Sequence, residues 1–139
     1  MERNGICMNE KDLQAFLFRN YGHENAACEW KEYKSLKHTL KGDAGRDLIS
    51  YVSALSNMEG GSIVMGVKDK TLDIVGIQDF HTYTVDNLCL ALLDNCANLP
   101  TEGLRIEEFK TIDTQKTVWI LHVPKHLLRC LLYTSPSPR

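Results

Sequence analysis

The residues best suited to chemistry in this chain are a run of cations. Lys31, Lys34, Lys37, His38, Lys41 and Arg46 concentrate positive charge between residues 31 and 46, in a chain whose formal net charge is -2. Cations spaced along one segment can track successive phosphates, and Trp30 and Tyr33 stand among them as rings on which bases could stack. A solvated charged loop uses the same residue types, and no arginine-rich or RNP-like signature accompanies the run. On residue type alone both readings stay open. A second stretch, SNMEGGSIVMGVKDK from residue 56 to 70, raises the question of a phosphate cradle, because Gly61 and Gly66 have the spacing of a P-loop. Ser62, Ile63, Val64 and Met65 fill the interval, however, and Val67 intervenes before Lys68. A cradle needs a loop with inward-pointing amides that runs directly into a helix. This stretch is instead a strand hemmed in by glycine: Gly60 and Gly61 turn the chain out of a helix, Gly66 permits close backbone approach, and Asp69 is presented at the strand's end. No G-x-G-x-x-G occurs, so these residues contain no nucleotide-binding loop.

The elements that must position such residues can be read from periodicity. Asn9 is placed as N-cap of a first helix with Leu13, Phe16, Leu17 and Tyr21 on one face, ending at Gly22. CEWKEYKSL, from residue 28, alternates Cys28, Trp30 and Tyr33 with charged residues, the pattern of a strand with one wet face. Asp43 is a candidate N-cap for a second helix carrying Leu48, Val52 and Leu55 and ending at Asn57. GGSIVMGVKD and TLDIVGI, joined by a turn at residues 69 to 71, predict a hairpin. Thr84 is placed as cap of a third helix with Leu88, Cys89, Leu92, Leu93 and Cys96, and Pro100 lies just beyond it. LRIEEFKTI and TVWILHV, split by DTQK, predict a last hairpin whose second strand is apolar enough to be central, with Trp119 in the core. His23, His81 and His122 show no metal-ligand spacing. The expectation is a single α/β (α+β) domain, a mixed sheet packed against helices.

Length and composition set the outer bounds. At 139 residues and 43% apolar side chains the chain can bury one core and is short for two. The near-neutral balance gives no global attraction to polyanions, so any nucleic-acid surface must come from local clustering. Cys7, Cys28, Cys89, Cys96 and Cys130 form an odd set with no C-x-x-C pair, which favours buried reduced thiols over disulfides or a zinc site and predicts a cytoplasmic protein. No run of eighteen apolar residues or signal-peptide core occurs, and no membrane association is expected. The last ten residues, CLLYTSPSPR, break sharply from what precedes them and resemble the conceptual translation of a transposon-type sequencing adapter. Residues 130–139 are therefore expected to be a non-native tail. Without Arg139, 15 of the 16 Lys and Arg remain against 18 Asp and Glu, a net charge of -3.

CEWKEYKSLKH, DLISYVSALSNMEGGSIVMGVKDKTLDIVGI and KTVWILHVPKH together resemble the Schlafen AlbA_2 domain. That pattern runs roughly E-x-E-W-x-E-F-K, a helix ending S-A-x-A-N-x-x-G-G, a strand x-I-G-V-x-D, then V-G-I, and a late strand ending in V-P. The resemblance covers about residues 28 to 126, and divides the chain into an N-terminal helical segment at 1–27 and a C-terminally truncated AlbA_2-like domain at 28–129. It implies an α/β DNA-binding or RNA-binding module, attached in bacteria to ATP-binding or winged-helix regulatory regions that would follow the truncation.

In some Schlafen members three acidic residues form a metal-dependent RNA-cleaving site. Carried over by position, Glu32 matches the acid of the E-F-K element and Asp69 the acid after the G-V strand. The third position falls on Ala27, which leaves the set incomplete. Glu29 lies two residues away, roughly 7 Å along a strand, and substitutes only if the local register differs. Glu32 and Asp69 together would offer hard oxygen ligands for Mg²⁺ or Mn²⁺, which can activate water for phosphodiester cleavage. The plainer alternative is that Glu32 pairs with Lys31 or Lys34 and Asp69 caps a turn. The leading expectation is a nucleic-acid-binding module, more binding domain than enzyme, within a larger transcriptional-regulator or ATP-binding protein. The alternatives are a metal-dependent ribonuclease using Glu32, Asp69 and Glu29, and a protein-interaction or homo-oligomerisation domain.

Overall fold

The computed structural model describes residues 6–22, 28–33, 36, 48–68, 70–80, 82–96 and 99–125. Within them five strands and three helices follow in the order β1 (Ile6–Met8), α1 (Glu10–Tyr21), β2 (Cys28–Lys31), α2 (Leu48–Asn57), β3 (Gly61–Met65), α3 (Val85–Asn95), β4 (Arg105–Thr111) and β5 (Thr117–Val123). The strands form one mixed sheet in the order β1-β4-β5-β3-β2. β1 is parallel to β4 and β2 to β3, while β5 is antiparallel to both its neighbours. Four strands therefore finish at the same end of the sheet, and β5 starts there.

Helices cover both faces, and strand alternation assigns the side chains. On one face Leu13 and Leu17 of α1 pack on Trp30, Val64, Phe109, Val118 and Ile120. On the other, Val52 and Leu55 of α2 and Leu88 and Leu92 of α3 pack on Ile63, Met65, Ile106, Trp119 and Leu121. β5, expected to be central, is central, and five of its seven residues are buried. Such two-sided burial is what produces its near-continuous apolar run. Trp119 is 2% exposed, as the core placement required.

Helix ends follow the capping chemistry. The Asn9 side chain accepts from Asp12 N–H, and the chain leaves α1 at Gly22. Thr84 caps α3 in a reciprocal box with Asn87. α2 ends at Asn57, as expected. Asp43, its candidate cap, lies outside the described residues. The first turn of α1 is tied to the β4–β5 turn by Glu10 N–H donating to Asp113 Oδ1 at 2.9 Å and by Lys116 Nζ at 3.3 Å from Glu10 Oε1.

Two expectations need correction. The hairpin after β3 does not form, because both hydrogen-bonding edges of β3 are taken by β2 and β5. TLDIVGI instead folds as a buried loop fastened by one bridge, Val67 to Ile74, with Leu72, Ile74 and Ile77 in the core. The thiols are free among the described residues, yet Cys7 is exposed on β1, against the expectation that all would be buried.

Candidate nucleic-acid interface

β2 and β3 run parallel in regular register, Cys28 opposite Ser62 through Lys31 opposite Met65. Parallel neighbours need a crossover connection, and α2 lies within it, so the two strands reach the same end of the sheet together. There the Gly66 amide donates to the Lys31 carbonyl at 2.9 Å, and the Val67 amide reaches the same oxygen at 3.3 Å. Residues 31–32 are thereby fixed beside residues 66–68. The Gly66 carbonyl in turn accepts from Val75 and Gly76 N–H at 2.9 and 2.8 Å, which holds the following loop against the same end. Leu36 N–H donates to Asp79 O at 2.7 Å and draws the segment after β2 onto that loop.

The residues singled out from the sequence distribute as follows. Glu32 is exposed just past β2. Lys31 is half-buried, with its ammonium 2.6 Å from Tyr51 Oη and 4.1 Å from the ring centroid, a contact that uses one of its three N–H donors. Glu29 is half-buried opposite Ile63 in an unshifted register, about 10 Å of strand before Glu32. The register that would bring it to the end of the sheet is not the one adopted. Trp30 is 7% exposed, faces α1, and donates its indole N–H to Tyr21 O at 2.9 Å. Its ring is therefore core, and the stacking role expected for it is not available. Lys34, Lys37, His38, Lys41, Arg46 and Asp69 lie outside the described residues.

Sequence reasoning missed several cations at this end. Lys68 and Lys70 are exposed in the turn after β3, and Lys110 is exposed where β4 finishes. A hollow of about 420 Å³ adjoins Lys110 and is walled also by Phe80, Tyr83, Asp86, Glu108 and Trp119. Phe80 packs against Trp119 in a tilted contact, ring centroids 5.0 Å apart at 48°, and Trp119 Nε1 donates to Glu108 Oε2 at 3.0 Å. These residues are dispersed in sequence and converge only through strand order, so no local motif could have announced them.

Among the described residues no group of three His, Cys, Asp or Glu side chains converges as a metal site. Glu32 is the acid that the described residues bring to the joined ends of β2 and β3.

The family described as Schlafen, AlbA_2 matches residues 24–135, most of the chain. The chain belongs to the Schlafen AlbA_2 family. Its sheet and helices are the α+β architecture expected of that membership. Among solved structures, it is similar at 24% identity and TM-score 0.44 to the N-terminal domain of a RecG-related protein from Nitrosomonas europaea, over 84% of this chain and 73% of that one. It is also similar at 15% identity and TM-score 0.42 to the DIP2311 protein from Corynebacterium diphtheriae, over 72% of this chain and 18% of that one. No curated protein matches it. No helix among the described residues is long and apolar enough to cross a membrane.

Proposed function

We propose that this AlbA_2 domain is a nucleic-acid-binding module, and that it grips the phosphate backbone at the end of the sheet where β2 and β3 finish. The observation that carries the reading is the bond from Gly66 N–H to Lys31 O at 2.9 Å, which sets the start of the cationic segment 31–46 beside exposed Lys68. Membership of the family supports it, since the resemblance implies DNA or RNA binding. With a net charge of -2, attraction to a polyanion must come from this local grouping. The module would serve a larger regulatory or ATP-binding protein and supply contact to nucleic acid with no chemistry of its own.

A second reading has one observation in its favour. Glu32 stands where β2 and β3 end together, and with Asp69, the acid that the resemblance matches after the G-V strand, it would supply two hard ligands for Mg²⁺ or Mn²⁺ in a ribonuclease activity. Ala27 at the third acidic position and the unshifted register of Glu29 weigh against it.

Fluorescence anisotropy with a labelled RNA hairpin and a DNA duplex, across a salt series with Mn²⁺ present, separates these readings. Phosphate contact predicts affinity that falls steeply with salt, with a slope reduced by about 0.7 to 0.9 for each phosphate contact removed in Lys34→Ala or Lys37→Ala. Label release abolished by Glu32→Ala would establish the nuclease instead. Absence of binding to both ligands would contradict nucleic-acid binding and leave a protein-interaction domain.

A further inference from the structure

A second constellation lies on the α1 face, at the opposite end of the sheet. Strand register sets Cys28, Ser62, His122 and Arg105 in one row across β2, β3, β5 and β4. Within this row Ser62 Oγ is 3.3 Å from His122 Nδ1, and His122 Nε2 is 2.8 Å from Glu107 Oε1. The other oxygen, Glu107 Oε2, lies 3.6 Å from Arg105 Nη1, which steadies the carboxylate. Three strands thus bring a hydroxyl, an imidazole and a carboxylate into one line. The carboxylate accepts only if Nε2 carries the proton, and in that tautomer Nδ1 turns its lone pair to the Ser62 hydroxyl. A nucleophile within reach of a base that is itself oriented by a third group is the arrangement that activates serine. The His122 and Glu107 side chains are 19% and 32% exposed, so the line is open to a small reagent.

We propose that Ser62, His122 and Glu107 form a nucleophilic relay that accepts the acyl group of a small activated ester. Ser62 Oγ bonds to the acyl carbon while its proton passes to His122 Nδ1, and the carbonyl electron pair moves to oxygen. Collapse of that adduct expels the alcohol, which takes the proton back from His122. Water then repeats the sequence and frees the acid and Ser62. Glu107 acts as a positioning residue, holding the imidazole.

The test is covalent labelling of the full folded chain by a fluorophosphonate, in which Ser62 Oγ bonds to phosphorus and fluoride leaves to solvent, with the modified peptide located by mass spectrometry. p-Nitrophenyl acetate hydrolysis is followed alongside. The relay predicts one adduct, on Ser62, absent in Ser62→Ala, and a labelling rate that falls roughly 10² to 10⁴-fold in His122→Gln. Glu107→Gln is predicted to change the pH profile of ester hydrolysis as well as its rate. No adduct on the folded wild-type chain, or an adduct on Ser62 whose rate is indifferent to His122→Gln in a variant with native circular dichroism, would overturn the proposal. The three side chains would then be a polar brace between strands.

Discussion

Replacing Gly66 by alanine strikes the point where the fold and the proposed interface are joined. Gly66 has φ +100°, a conformation that costs an L residue roughly 1–3 kcal/mol. An added Cβ would stand 3.0 Å from Thr117 O and 3.3 Å from Ile77 N and Cγ1, and Thr117 O is backbone in the sheet that cannot move freely. The same residue carries three backbone hydrogen bonds, one to Lys31 and two from Val75 and Gly76, each contributing about 0.5–1.5 kcal/mol net. Relief of the clash would stretch at least one of them. The expected loss is about 2–4 kcal/mol, a large part of the 5–15 kcal/mol typical of a domain. With a urea m-value of about 1–3 kcal/mol/M, the midpoint should fall by roughly 1–2 M in a circular dichroism titration. Gly103→Ala serves as the control. It shares the positive φ, +94°, but its Cβ would meet only Pro124 side-chain atoms, at 3.1 and 3.9 Å. Gly66→Ala should therefore cost more than Gly103→Ala. Equal losses, or a midpoint for Gly66→Ala within 0.2 M of wild type, would refute the reasoning.

Two further outcomes follow from the core and from titration. Ser56 is 2% exposed and its hydroxyl has no hydrogen-bond partner among the described residues, so Ser56→Ala should be neutral or stabilise by about 1 kcal/mol in the same urea titration, and a loss above 1 kcal/mol would show a missed partner. Burial, with Glu107 and Cys28 adding to it, raises the Tyr21 hydroxyl above its ordinary value of 10.0, and burial with Asp86 raises the Cys89 thiol above 9.0. Both groups hold their protons more tightly when folded, so their contribution is present below these values and is lost as pH rises through the folded ones. Stability should decline from about pH 9 upward, and a double Tyr21→Phe and Cys89→Ala variant should flatten that decline; an unchanged slope would contradict the burial of both groups.

Much of the fold was legible in the sequence because helix caps and strand periods are local. Asn9, Gly22, Thr84 and the VWILHV run stand where their chemistry placed them. What failed depended on neighbours. TLDIVGI has the composition of a strand, but its pairing depends on whether β3 has a free edge, which only the sheet order decides. β1 went unseen, since three residues against β4 carry no periodic signal. Trp30 illustrates the same limit at the candidate site: a tryptophan among lysines reads as a stacking platform, yet strand alternation turns it into the core beneath α1. Lys68, Lys70 and Lys110 became part of the proposed interface only when four strands were found to end together.

The measurement that bears most directly on the proposed interface is a ¹H–¹⁵N amide titration of the chain with an RNA hairpin and with a DNA duplex. Binding at the proposed end predicts shifts concentrated at residues 31–33, 66–70 and 110–111, fading as salt is raised, with the row of Cys28, Ser62, His122 and Arg105 at the opposite end unmoved. Shifts confined to the opposite end of the sheet, or no shifts with either ligand at low salt, would contradict it.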